Sequence, residues 1–177
     1  MENPFDILKF KSTLKSADAS TIKKFKGIMP EFVLKEWEQR GFANYMNGLF
    51  ITTNPEDYYG MIDGWVKDPK NCHVLLRTAF GNFYYLKDGE FYYVDVIYNT
   101  VNNKRNDFEV IIEFSIDNKG NLDDIFFKDI YDKAEKKLGP PGYDEVYAFA
   151  PILSMGGNPD PKKVHKVKLK EHLAILS

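Results

Sequence analysis

The chain has 177 residues, of which 44% are hydrophobic and 15% aromatic, so it can bury a core large enough to offset the conformational entropy of folding. Its 24 basic and 26 acidic residues leave a formal net charge of -2, which excludes a strong general attraction to nucleic acid or to an acidic membrane. Cys72 is the single cysteine, which excludes an intrachain disulfide and is typical of a reducing compartment.

The N-terminus and the apolar segments of the sequence predict a cytoplasmic protein. The acidic N-terminus leads into no apolar segment of the kind found in export signals. The longest apolar stretch, residues 146–153, is much shorter than the roughly 20 residues of a membrane-spanning helix. We therefore expect no membrane partner and no nucleic-acid partner.

The first part of the chain predicts two helices and a strand. Ser20 is a suitable cap for a short helix, which must end before Pro30. Residues 30–40 have proline in the first turn, an apolar stripe and Gly41 after the last turn, and they predict a helix that buries Trp37. Residues 49–52 predict a short strand.

The middle of the chain predicts one more helix and then a hairpin. Asn54 as a cap and Pro55 at the first helical position predict a helix to about residue 66. Residues 73–98 are rich in strand-forming side chains, and the two-residue turn at 88–89 predicts a hairpin that pairs Tyr85 with Tyr92. Aromatic residues then lie on both faces, so one face packs under helices and the other is either a second core layer or an exposed patch.

The polar segment 102–106 predicts a boundary between an N-terminal lobe, residues 1–101, and a C-terminal lobe, residues 107–177, packed together as one compact unit. Residues 108–116 fit both helical and strand periodicity, and we favour a helix. The rest of the chain predicts a turn at 117–121, a helix over 124–138 and a buried strand over 146–153. At 164–169 apolar residues alternate among lysines, and a last apolar piece follows at 173–176. The predicted fold class is α+β: an antiparallel sheet with a central aromatic hairpin, packed against several helices.

The sequence predicts no enzyme, because the usual catalytic groupings are missing. Cys72 adjoins His73, but neighbours along a strand point to opposite faces, so they do not form a nucleophile and base. The other histidines, His165 and His172, lie far away in the chain, and no zinc motif or phosphate-binding loop occurs. We expect no catalytic residue, no metal and no cofactor, although a hydrolase that uses clustered carboxylates stays open as an alternative.

The charges are distributed unevenly along the chain. Only Lys119 and Lys128 lie between residues 107 and 132, among eight acidic residues: Asp107, Glu109, Glu113, Asp117, Asp123, Asp124, Asp129 and Asp132. Five lysines gather near the C-terminus: Lys162, Lys163, Lys166, Lys168 and Lys170. Two interpretations remain open, a solvated helix face beside a lysine-rich edge strand, or a surface that docks a partner.

Several short segments, in order along the chain, resemble one family. The N-terminal lobe resembles the GAD-like domain in Met29-Pro30, residues 37–42 (WEQRGF), residues 47–49 (NGL), Asn54-Pro55, Trp65 and residues 77–81 (RTAFG). The C-terminal lobe is similar to the C-terminal domain of immunity proteins of type VI secretion DNase toxins in residues 138–140 (LGP), 144–151 (DEVYAFAP), 155–157 (MGG) and 171–176 (EHLAIL). The chain departs from that pattern at Val146, Ala148 and Met155, where cysteine, glycine and leucine are expected, and we interpret these departures as packing changes.

The resemblance implies an intracellular bacterial protein that neutralises a toxin by binding it, without catalysis. If the toxin is a nuclease with a basic groove, the acidic region is its natural complement. The candidate partner-binding residues are therefore Asp117, Asp123, Asp124, Tyr85 and Tyr92. The alternative is a non-catalytic ligand-binding or regulatory module with an aromatic cleft lined by Tyr85 and Tyr92.

Overall fold

The computed structural model describes residues 3–103, 108–116 and 118–177. Its centre is a seven-stranded antiparallel sheet whose strands pair in chain order: β1 Phe10–Lys15, β2 Phe42–Tyr45, β3 Phe50–Thr52, β4 His73–Thr78, β5 Phe83–Lys87, β6 Glu90–Asp95 and β7 Thr100–Asn103. A separate antiparallel hairpin consists of β8 Glu145–Phe149 and β9 Val164–Lys168. The predicted α+β class is confirmed.

Six α-helices lie within the described ranges: α1 Ala19–Phe25, α2 Glu31–Arg40, α3 Phe108–Ile116, α4 Lys119–Phe126, α5 Lys128–Leu138 and α6 Leu169–Leu176. The two predicted N-terminal helices are present, although Asp18 and not Ser20 caps α1, by accepting a hydrogen bond from the Thr21 amide. Trp37 in α2 is buried, as predicted. No helix in the described part of the chain has the length and apolar character needed to cross a bilayer.

The central hairpin has the predicted register, with Tyr85 opposite Tyr92 and Tyr84 opposite Tyr93 across β5 and β6. One face is covered by helices, because the Tyr84 ring contacts Phe108 of α3. The other face is a second core layer, because the segment between β3 and β4 packs over it through the buried Trp65. Both faces of this sheet region are therefore buried, which explains why apolar residues in these strands do not alternate with polar ones.

The prediction of a helix from Asn54 to about residue 66 is wrong. The cap at Asn54 and the following Pro55 start only a short 3-10 turn, Pro55–Tyr58. Gly60 then takes a φ of +85°, which no α-helix contains. The chain continues in turns that bury Ile62 and Trp65 against the sheet.

The helix predicted over 124–138 is two helices, and the turn predicted at 117–121 already contains the start of the first. Asn118 caps α4 by accepting a hydrogen bond from the Gly120 amide. Phe127 separates α4 from α5 with a φ of +55°. The break lets two successive aromatic residues pack in different places, since Phe126 contacts Phe50 and Phe127 contacts Phe80. The ambiguous segment 108–116 is a helix, as favoured.

Three strands were not predicted, β1, β2 and β7, and the C-terminal bounds differ from expectation. β7 overlaps the polar segment that was predicted as a boundary, because Asn102 and Asn103 pair with Tyr93 and Tyr92 of β6. β1 is almost wholly exposed and β2 is wholly buried, so neither shows the alternation by which strands are recognised. β8 ends at Phe149, short of the predicted residue 153. The last apolar piece belongs to α6, which begins earlier, at Leu169.

A buried arginine ties the central sheet to the C-terminal part of the chain. Arg77 in β4 is fully buried, and one of its terminal nitrogens lies 2.7–3.0 Å from the carbonyl oxygens of Gly142, Tyr143 and Glu145. The Tyr147 amide also donates to the Ala79 carbonyl. The sheet and the β8–β9 hairpin consequently share one continuous hydrophobic core.

Candidate partner-binding surface

Three consecutive helices carry the acidic region of the sequence. α3 packs against α4 and α4 against α5, and Phe126 of α4 anchors this layer on the sheet by contacting Tyr93. We call the acidic side chains of this layer that belong to the acidic stretch 107–132 the acidic helical surface: Glu109, Glu113, Asp123, Asp124, Asp129 and Asp132. Asp107 and Asp117, which belong to the same stretch of sequence, lie outside the described residues.

Three of these acids form ion pairs with described lysines one helical turn away. The pairs join Lys119 to Asp123 at 3.9 Å, Lys128 to Asp132 at 2.5 Å and Lys133 to Asp129 at 2.9 Å. Hydrogen bonding from Lys133 lowers the pKa of Asp129. Pairs of this kind at an exposed helix surface add little stability, but they partly neutralise the field that a partner meets.

The two predicted contact residues on α4 differ in their surroundings. Asp123 is half-buried, and its carboxylate accepts a hydrogen bond of 3.0 Å from the Asp129 amide, in the first turn of α5. It therefore helps to start α5, in addition to carrying charge. Asp124 is exposed and forms no ion pair with the residues described, and the same holds for Glu113 of α3. Asp124 and Glu113 therefore have the freest negative charges of the surface.

The two predicted tyrosines lie elsewhere. Tyr85 and Tyr92 stack face to face with ring centres 4.9 Å apart, on the face of the hairpin opposite to the one that α3 covers. Tyr85 is only 4% exposed, and burial raises its pKa. Tyr92 is half-buried and donates to the Glu90 carboxylate at 3.1 Å. The structure thus brings Asp123 and Asp124 together, but it does not bring the tyrosine pair to them.

The C-terminal lysines mostly serve local contacts. Lys166 donates to the carbonyl of Leu138 at the end of α5, at 3.0 Å. Lys168 forms an ion pair of 2.6 Å with Asp144. Lys162 and Lys170 are exposed and have no ion pair with a described residue, so the lysine-rich region retains some free positive charge.

Cys72 and His73 point to different surroundings. The Cys72 sulfur lies 3.6 Å from the carbonyl oxygen of Lys67 in the interior, where burial raises the pKa of the thiol. The His73 ring instead makes a 2.8 Å hydrogen bond with the hydroxyl of Tyr59. Within residues 3–103, 108–116 and 118–177, no group of three His, Cys, Asp or Glu side chains is placed to hold a metal ion.

Burial lowers the pKa of His172 in α6, so the unfolded chain binds protons more readily than the folded one. Stability should therefore fall as the pH drops through the ordinary histidine pKa of about 6.5. We expect H172Q to lose less stability than the parent chain between pH 7.5 and pH 5, in urea unfolding measured at both values. The exposed His165 provides the control: H165Q should keep the parent's pH dependence, and an H172Q curve as steep as the parent's would contradict the prediction.

A cleft of about 540 Å³ was not predicted from the sequence. Its walls come from the end of β1, the turn before residue 59, the loop before β8 and the start of α6, including Lys15, Tyr58, Tyr143 and Leu169. These segments are far apart in the chain, and no local motif marks any of them. Only the folded arrangement reveals that they meet.

Comparison with known families settles the classification. The model of the GAD-like domain matches residues 5–103, which is more than half of the chain. The chain belongs to the GAD-like domain family. Residues 108–177 match a second model, T6SS immunity protein Tdi1, C-terminal, and this match indicates a type VI secretion immunity protein. No curated protein matches the chain.

A solved structure supports the fold of this GAD-like protein. The crystal structure of Atu4351 from Agrobacterium tumefaciens aligns with a TM-score of 0.75 at 18% sequence identity. The alignment covers 99% of this chain and 87% of the other. At that identity the likeness concerns the fold alone.

The residues that carried the resemblance are mostly parts of the scaffold. In the GAD-like domain, Trp37 and Trp65 are buried and Gly41 ends α2, as expected. In the Tdi1-type domain, Gly139 ends α5. Met155 departs from the expected leucine, and it is not a packing change, because its side chain is 77% exposed.

The other two departures, Val146 and Ala148, are buried in β8. They fit the interpretation as packing changes, because a buried strand position must be filled by a side chain of matching volume. The departures from the family pattern therefore divide into two core positions and one surface position.

Proposed function

We propose that this protein is a cytoplasmic immunity protein that binds a cognate bacterial toxin of the type VI secretion kind and blocks its active surface. The observation that carries the proposal is the match of residues 108–177 to the C-terminal domain of the T6SS immunity protein Tdi1. Blocking a toxin requires a stable, shape-complementary surface and no chemistry of its own. The protein partner is the toxin, and neither a cofactor nor nucleic acid takes part.

Within this proposal, the acidic helical surface is the toxin-binding face, and a nuclease is the partner that fits it best. A nuclease attracts phosphates with a basic groove, and negative charges on an inhibitor steer it to the same groove. Val110 of α3 is 59% exposed between Glu109 and Glu113 in the sequence. An apolar side chain with charged neighbours suits the centre and rim of a protein interface.

The test of the function is protection. The protein is co-expressed with each candidate type VI secretion toxin of its source genome, and both cell survival and a co-purified complex are measured. Survival together with a complex is the expected result. A toxin that stays lethal and forms no complex with the folded protein would reject the immunity function for this pair.

The placement of the toxin-binding face has a separate test, the charge reversal D124K. Because the Asp124 side chain is exposed and unpaired, we expect toxin association to slow by about three- to ten-fold at low salt, with little change in dissociation. The effect should shrink at 0.5 M salt, where the Debye length falls to about 4 Å. Stopped-flow or surface-based kinetics measure both rates.

The matched control is E38K on the exposed face of α2, which makes the same charge change on another helix. Asp123 is a poorer choice for the reversal, since its loss also removes the bond to the first turn of α5. If D124K and E38K slow association equally, the effect comes from the change in net charge and not from the position of Asp124. An unchanged on-rate in D124K would remove the acidic helical surface from the interface but leave the immunity function intact.

A further inference from the structure

Three segments that contain no charged residue meet at one place in the fold. A shallow hollow there is lined by side chains from distant parts of the chain, among them Ile97, Leu153 and Leu176. The segments that supply them, residues 96–102, 146–159 and 172–176, have no Asp, Glu, Lys or Arg, although these four residue types make up 28% of the chain. The fold therefore brings uncharged segments together at one surface.

Large apolar side chains project beside this hollow. In the described part of the chain, four large apolar side chains are more than half exposed, and three of them, Tyr98, Met155 and Ile175, are close in sequence to residues that line the hollow. We call the lining and projecting side chains together the uncharged surface: Ile97, Tyr98, Leu153, Met155, Ile175 and Leu176. Clusters of exposed apolar side chains are typical of protein contact sites.

The titratable groups that adjoin these segments leave the centre of the uncharged surface without a free charge. The Asp95 carboxylate accepts hydrogen bonds of 3.0 Å from two backbone amides of the turn that follows it. His172 lines the hollow, but it is buried, and burial lowers its pKa. Ser177 packs against the segment between β3 and β4 and does not line the hollow. Glu171 is exposed one helical turn before Ile175, which suits the polar rim of an interface.

The lack of charge limits what can lie on this surface. Charged groups of a partner would lose their water there without an opposite charge to replace it. The hollow has a volume of about 10 Å³, against roughly 300 Å³ or more for the usual ligand pocket, so it does not hold a small molecule. The partner must therefore present an equally uncharged and apolar protein surface, and the basic groove of a nuclease does not meet this condition.

A second copy of this chain meets the condition. Two-fold symmetry places the same surface opposite itself, so the uncharged centre of one copy faces the uncharged centre of the other. The surface has both projecting side chains and a hollow, and the projecting side chains of each copy can rest against the hollow of the other. The formal net charge of -2 is small, so two copies repel each other only weakly.

We propose that the protein forms a two-fold symmetric homodimer through the uncharged surface. The acidic helical surface stays outside the contact, because α3, α4 and α5 contribute no side chain to the hollow. Each copy in the dimer then keeps its own toxin-binding face. The dimer goes beyond the immunity function and does not depend on it.

Analytical ultracentrifugation of the full chain without toxin tests the dimer, at concentrations from about 1 to about 200 µM. We expect the measured mass to rise with concentration from 20.5 kDa towards twice that value. Because the interface is uncharged, its dissociation constant should change by less than about two-fold between about 0.05 and 0.5 M sodium chloride. A chain that stays monomeric over this range, or a dimer that dissociates as the salt concentration rises, would overturn the proposal.

Lysine substitutions locate the contact. I175K and M155K should each raise the dissociation constant about ten-fold or more, since each dimer then buries two unpaired charges. A lysine suits the last turn of α6, which has no basic residue, so I175K should fold, and the unfolding midpoint checks this. The matched control is I28K, the same change at an exposed isoleucine elsewhere, and it should dimerise like the parent chain.

The remaining outcomes are equally decisive. If I28K weakens the dimer as much as I175K does, or if I175K and M155K dimerise like the parent chain, the uncharged surface is not the dimer contact. A monomeric chain whose toxin binding is weakened by M155K would make the toxin the occupant of this surface and would also overturn the proposal. Because the dimer is measured without toxin, its failure leaves the protection test unaffected, and a failed protection test leaves the dimer unaffected.

Discussion

R77M should lower the free energy of unfolding by about 3 to 5 kcal/mol, the largest stability loss that we expect from a single substitution in this protein. Methionine has a similar length, but it leaves the carbonyls of Gly142, Tyr143 and Glu145 without the donor that they share in the interior. Urea unfolding followed by tryptophan fluorescence measures the loss, since Trp37 and Trp65 are both in the core.

The control for R77M is K87M on the neighbouring strand β5. Lys87 is half-buried and donates to a single carbonyl, that of Lys67, at 2.9 Å. Its replacement should cost about 1 kcal/mol or less. If R77M and K87M lower the free energy of unfolding by the same small amount, Arg77 does not hold the C-terminal part to the sheet in the way that its contacts indicate.

E36Q should cost about 2 to 4 kcal/mol, because the fully buried carboxylate of Glu36 is the acceptor at the centre of a network. Tyr45 and Asn3 donate short hydrogen bonds to it, and Arg40 donates at 3.3 Å. Glutamine keeps the volume but turns one acceptor oxygen into a donor, which then faces these donors. Chemical unfolding at neutral pH measures the difference.

The matched control is E38Q, two residues along the same helix at an exposed position. It should stay within about 0.5 kcal/mol of the parent chain, because a surface side chain outside any network contributes little. An E36Q variant as stable as E38Q would mean that the network around Glu36 makes no net contribution to the free energy of unfolding. Tyr45 would then be expected to tolerate phenylalanine as well.

Local chemistry explains which elements could be predicted. The turn at Asp88 and Gly89 fixes the register of its hairpin over two residues, so pairing as far as Tyr84 with Tyr93 follows from the sequence. α2 has its start and stop signals within one short segment. Predictions of this kind need no knowledge of the rest of the fold.

Elements that depend on distant contacts could not be predicted. Nothing near Phe127 marks the break between α4 and α5, because its cause is the packing of that ring against Phe80 and Phe149. β1 is a strand because its backbone pairs with β2, although its side chains are mostly exposed. The division into lobes 1–101 and 107–177 stays a prediction.

The candidate surface was predictable in part. Asp123 and Asp124 are adjacent in the sequence and necessarily close, but the role of Asp123 at the start of α5 depends on the break that was missed. The predicted acidic region ends at residue 132, one residue before Lys133, which pairs with Asp129. The contact role of Asp117 stays a prediction, and so does that of Tyr85 and Tyr92. The cleft at α6 joins four distant segments, and no pattern in any one of them could indicate it.

The pairing of all seven strands in chain order has a consequence for how the molecule is made. During synthesis, each new strand finds its partner already outside the ribosome, so the sheet can grow from one end without waiting. The side chain of Arg77 in β4 must wait, because the carbonyl groups that it binds emerge some 65 residues later. The guanidinium group therefore stays hydrated on the nascent chain, and its burial marks the moment when the C-terminal part of the polypeptide closes on the sheet.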